Sequence, residues 1–79
     1  MEDILKRITF NKDVLAGKPL IRGLRISVET ILELLANGAS EQEILEDFRE
    51  LEPEDIRAAL LYALTTVSRE TVLERVSSM

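Results

Sequence analysis

The chain has no cysteine, no histidine and no tryptophan, and aromatics make up only 4% of its 79 residues. Without cysteine there are no disulfides. Without Cys or His the usual nitrogen and sulfur ligands of a zinc site are missing. The serines have no imidazole within the chain to activate them. Three glycines and two prolines are too few for a low-complexity or collagen-like chain. No apolar run approaches the roughly 20 residues that span a bilayer. The N-terminal "MEDILKRITF" lacks the apolar core and cleavage site of a signal peptide, so the cytoplasm is the expected location and no membrane is expected among its partners.

What the sequence does contain is 46% hydrophobic residues and a net charge of −5. That composition is ordinary for one globular domain, read here as a single unit over 1–79. So short a chain buries little more than half of its unfolded surface. It is expected to draw extra stability from a partner, most simply a second copy of itself. The charge is unevenly divided. Residues 1–25 hold Lys6, Arg7, Lys12, Lys18, Arg22 and Arg25 against three acids, a net +3, whereas residues 26–79 carry −8. Either the basic segment faces a different partner from the acidic remainder, or it pairs with the acidic helices of its own domain.

Within that segment, "AGKPLIRGLRIS" (16–27) is both basic and sharply punctuated. Gly17 and Gly23 mark unusual φ or close backbone approach, and Pro19 pushes Lys18 out of the α region. "RITF" and the partly alternating Leu20, Leu24 and Ile26 predict a short β-hairpin arm over 1–26.

A three-helix core is expected over 27–67. Ser27 is a good N-cap, and Val28, Ile31, Leu32 and Leu35 follow at i, i+3, i+4, i+7 until Asn37-Gly38 stops the helix near 37. Ser40 and Glu43 spell a capping box for a short helix over 41–48. Pro53 suits the first position of a third helix over 53–67. There Ile56, Ala59, Leu60, Ala63, Leu64 and Val67 form one apolar stripe, with Leu61 and Tyr62 outside it. A helix apolar nearly all round is buried on more than one side, which makes Leu61 and Tyr62 the expected dimer interface. Residues 68–79 are expected to form a helical tail, as a continuation or as a fourth helix capped by Ser68.

Catalysis is poorly supported. The carboxylate pairs Glu29/Glu33 and Glu43/Asp47 are spaced i, i+4, but such pairs are far more often solvated faces than metal sites. "GKPLIRG" is not a phosphate-binding loop. No catalytic residue, cofactor site or metal site is therefore assigned. A binding module fits better. The short second helix and longer third have the outline of a helix-turn-helix, yet Glu54 and Asp55 at the leading end of the third oppose contact with phosphates. Arg57 is the one plausible base contact there, unless it pairs with Glu54 or Asp55. Lys18, Arg22 and Arg25 are the better candidates for DNA or for an acidic protein surface, since Arg grips carboxylates and phosphates alike. Intramolecular pairing with Glu29 or Glu33 is the alternative for the two arginines.

The order Ile8, Gly17-Lys18-Pro19, Ile21-Arg22-Gly23, Arg25-Ile26, Gly38, Ser40, Glu43-Ile44, Asp55-Ile56 and Ala58-Ala59-Leu60 closely resembles domain-of-unknown-function family 433, over about residues 7–64. Leu24 stands where Thr is commoner, and Leu51-Glu52-Pro53 replaces a more usual Leu-Thr. The resemblance implies a mainly α, homeodomain-like fold with an N-terminal β arm. It implies an antitoxin that neutralises a PIN-like ribonuclease toxin, with operator DNA as a possible second ligand. In that reading Gly17, Pro19 and Gly23 fix the path of the arm, and Arg22 and Arg25 project from it. A stand-alone DNA-binding regulator and a purely structural dimerisation module are the other readings.

Overall fold

A computed structural model describes residues 2–68. The order is α1 (Glu2–Leu5), β1 (Ile8–Thr9), β2 (Leu20–Ile21), α2 (Val28–Ala36), α3 (Glu41–Asp47) and α4 (Pro53–Ser68). The chain is mainly α, with a trihelical core of α2, α3 and α4 and a short antiparallel hairpin before it. The tail expected over 68–79 lies outside the described residues beyond Ser68.

The helices start and stop where local chemistry says they should. The Ser27 hydroxyl accepts the Thr30 amide at the start of α2. That helix ends on Gly38 at φ 97°, with the amides of Gly38 and Ala39 donating back to Leu35 and Leu34, a glycine-closed C-terminus. At α3 the expected capping box is complete: Ser40 accepts the Glu43 amide at 3.1 Å and Glu43 accepts the Ser40 amide at 2.8 Å. Those bonds hold the Glu43 carboxyl below its ordinary range.

The core joins hairpin to helices. Leu20, Ile21, Ile31, Ile44 and Ile56 are almost wholly buried. β2 is the middle of three short extended segments. It pairs with β1 through Ile8–Ile21 and Thr9–Leu20, and Leu20 bridges Ser27 on the other side. The turn between them places Arg22 and Gly23 at φ 46° and 73°, with the Leu24 amide donating to the Ile21 carbonyl at 2.7 Å. Two successive positive φ values are the signature of a tight turn of the I′ kind, where Gly is at home and Arg is not.

Three expectations need correction. The hairpin is no projecting arm: each of its strands has two residues, and Leu20 and Ile21 are sealed in the core because β2 is covered by the helices. The α4 stripe is also turned from its expected position. Ile56 and Ala59 are buried, but Leu60, Leu64 and Val67 are 43%, 60% and 52% exposed. Finally, α1 was absent from the expected elements; four residues are too few to show a period.

Candidate functional site

Asp55 is the centre of the most organised cluster of side chains in the described residues. It is the third residue of α4, on the face that also carries Ile56 and Ala59, and it is fully buried. Its Oδ2 accepts the Glu52 amide at 2.8 Å, the carboxylate half of a capping box. Two guanidiniums close over the rest. Arg7 Nη1 donates to Asp55 Oδ1 at 2.8 Å and to Glu52 Oε1 at 2.7 Å. Arg22 reaches both Asp55 oxygens, through Nε at 3.0 and 3.2 Å and Nη2 at 2.9 Å, and donates to the Glu50 carbonyl at 2.6 Å.

The electrostatics follow from this geometry. Burial pushes the Asp55 carboxyl upward, but hydrogen bonds from Arg22, the Glu52 amide and Arg7 outweigh it and hold the group below its ordinary value. The same bonds raise both arginines: Glu52 and then Asp55 act on Arg7, and Asp55 acts on Arg22. The cluster is a buried carboxylate satisfied by two partly exposed guanidiniums, with one extra acid at its rim. Among the described residues no buried side-chain polar atom lacks a partner.

This arrangement sorts the candidate binding residues. Arg22 is engaged within its own chain, and its partner is Asp55 rather than Glu29 or Glu33. Its strained backbone is the position from which a guanidinium reaches the start of α4. Lys18 pairs with Glu29 at 2.6 Å, a bond that raises its pKa; both side chains are about half exposed. Arg25 and Arg57 are exposed and form no ion pair with any described residue. The alternative pairing of Arg57 with Asp55 is pre-empted by Arg7 and Arg22. Arg57 instead lines a shallow groove between α1 and α4 with Ile4, Leu60, Leu61 and Leu64.

Gly17 and Gly23 both have positive φ, as their geometric role required. Pro19 accepts the Val28 amide through its carbonyl at 3.0 Å, tying the loop to the start of α2. Gly17 closes a left-handed turn in which Leu15, Ala16 and Gly17 all have positive φ (48°, 57° and 78°). Leu61 and Tyr62 are both half-buried. Tyr62 packs against the core, and its ring lies 6.2 Å from that of Phe10.

Sequence reasoning missed Arg7 and Asp55 as a pair. A signal was present, since an acid four residues before Ala59 lies on the same helix face. Among the described residues, no cluster of three or more Asp, Glu, His or Cys side chains is arranged to hold a metal ion, and no helix is long and apolar enough to cross a membrane.

A family model described as "Protein of unknown function (DUF433)" matches residues 8–63. An uncharacterised protein of Sinorhizobium fredii, y4eO, is 38% identical over 56 residues, which cover 71% of this chain and 25% of the relative. The chain thus spans about a quarter of that curated relative's length. The crystal structure of a DUF433 member protein from Anabaena variabilis matches with a TM-score of 0.76 at 28% identity, over 86% of this chain and 67% of that one.

Proposed function

The chain belongs to the DUF433 family, and from that premise we propose that it is a binding protein of the antitoxin type. In this reading it neutralises a PIN-like ribonuclease toxin, with operator DNA as a second ligand. It acts by binding rather than by catalysis, in a chain that supplies neither imidazole nor thiol.

One observation carries the reading. The fold satisfies Arg7, Lys18 and Arg22 internally and leaves Arg25 and Arg57, like Lys12 and Arg49, without an ion-pair partner among the described residues. Arg57 stands beside Ile4 and Leu61 in the groove between α1 and α4. A guanidinium beside apolar side chains suits a carboxylate-lined cleft, because Arg forms bidentate bonds to carboxylates. A nuclease with a metal-binding acidic centre offers such a cleft. DNA is the weaker ligand on these grounds. Glu52 and Glu54 are exposed at the start of α4, where a reading helix would meet phosphates.

The test is inhibition by a purified pair. A tagged chain is used to isolate its partner at low salt, and the partner's cleavage of RNA is then measured with added wild-type chain or with Arg25→Ala/Arg57→Ala. Inhibition near one-to-one stoichiometry that the double variant loses by tenfold or more supports the reading. If RNA cleavage is indifferent to the chain while the chain alone shifts its own promoter fragment, it is a stand-alone regulator. Neither activity in a folded dimer would leave the structural module.

A further inference from the structure

We propose that the outer face of α4 docks a second copy of this chain, the two α4 helices packing antiparallel about a two-fold axis at Leu64. Leu60, Leu64 and Val67 recur at i, i+4, i+7 and remain largely exposed, while Ile56 and Ala59 of the same helix are sealed. Such spacing makes one continuous ridge along a helix. On the α2 side the ridge borders a mostly apolar groove of about 350 Å³, where Pro19, Leu32, Tyr62 and Ala63 contribute and where the lining acid, Glu29, is already paired with Lys18. An antiparallel pair sets Leu64 against its own copy and Leu60 against the partner's Val67. The ridge of each copy then fills the groove of the other.

Charge decides who the occupant is. From Ala58 to Ser68 no residue of α4 is charged, in a chain that is 32% charged. On a two-fold axis a residue meets its own copy, so a charge there would face a like charge. A face shaped for a charged partner carries complementary charges, and a face for nucleic acid carries cations. This one carries neither along three helical turns. Among the described residues the nearest cation along α4, Arg57, lies seven residues from the axis, about 10 Å along the helix. The two copies of Arg57 are therefore about 20 Å apart, beyond the screening length of roughly 8 Å at physiological salt. They sit at opposite rims and stay open to other ligands.

The face is small. With three helical turns and a flanking groove as its whole extent, a dissociation constant in about the micromolar range is expected.

Light scattering across concentrations from about 1 to 200 µM, a range that brackets micromolar affinity, tests the proposal. The wild-type mass should rise from 8.9 kDa toward twice that value. Leu64→Glu should remain at 8.9 kDa throughout with unchanged far-UV circular dichroism, since Leu64 is 60% exposed in the single chain. Its self-association should be at least about a hundredfold weaker, because a like charge meets a like charge on the axis. The absence of native cysteine allows a second readout should that variant misfold. Leu64→Cys should crosslink into a dimer on mild oxidation, whereas Glu46→Cys on α3 should not. A wild-type chain still at 8.9 kDa at the top of the range, a folded Leu64→Glu that remains dimeric, or equal crosslinking at the two cysteines would overturn the proposal and give the face to another occupant.

Discussion

Asp55 concentrates the consequences of a single side chain. Removing one member of a buried ion cluster leaves the other charges uncompensated, which costs about 3–5 kcal/mol when all partners are buried. Arg7 and Arg22 keep 27% and 35% of their side-chain exposure, so Asp55→Ala is expected to cost about 3 kcal/mol, at the lower end. Chemical denaturation at pH 7 measures it. The carboxyl is held below its ordinary 3.8 in the fold, so its stabilisation is complete well above that pH. It is lost progressively as pH falls through 3.8 toward the folded value. Asp55→Asn should therefore flatten the acid limb of the stability curve below about pH 5, measured as denaturation midpoints between pH 7 and pH 2.5. Arg22→Lys should recover little of what Arg22→Ala loses, because an ammonium cannot bridge both carboxylate oxygens and the Glu50 carbonyl.

Among the elements, the left-handed turn at Leu15–Gly17 is the place where substitution should help. Non-glycine residues pay roughly 1–2 kcal/mol for left-handed backbone, and Ala16 sits there at φ 57° and ψ 32° while exposed. Ala16→Gly is expected to stabilise the chain by about 0.5–1 kcal/mol, seen as a higher thermal midpoint, because glycine visits that region freely. Ser40→Ala should have the opposite sign, losing about 1 kcal/mol with the capping box. The helices were the legible part of this fold. Ser27, Asn37-Gly38, Ser40/Glu43 and Pro53 are local signals, and each acts within four residues of its own position. The rest depends on distance. The identity of the partner of Arg22 lies 33 residues away, and no local pattern encodes it. The apolar stripe of α4 was misjudged for a related reason. Periodicity shows that Leu60 and Leu64 share a side, but not whether the domain has enough mass to cover that side. The candidate binding residues were legible as a set of cations. Which of them the fold consumes was not, because pairing is decided by tertiary approach.

For the whole molecule, the division between a basic first third and an acidic remainder turns out to be an internal fastening. Arg7 and Arg22 join Asp55, Arg7 also joins Glu52, and Lys18 joins Glu29. The hairpin is thus part of the core in charge as well as in packing, and a fragment of residues 27–79 would lose Leu20 and Ile21 and leave Asp55 unpaired. Such a fragment is expected to show little cooperative unfolding by circular dichroism, whereas the full chain should show it. The fastening also has a consequence in time. Arg7 and Asp55 are 48 positions apart, and a ribosome adds about 5–20 residues per second. For roughly 1.5–6 seconds of each synthesis at those rates, the basic third, complete at residue 25, has been made while the carboxylate that will hold it has not. Until Asp55 is made, Arg7 and Arg22 lack the carboxylate that fastens them in the fold.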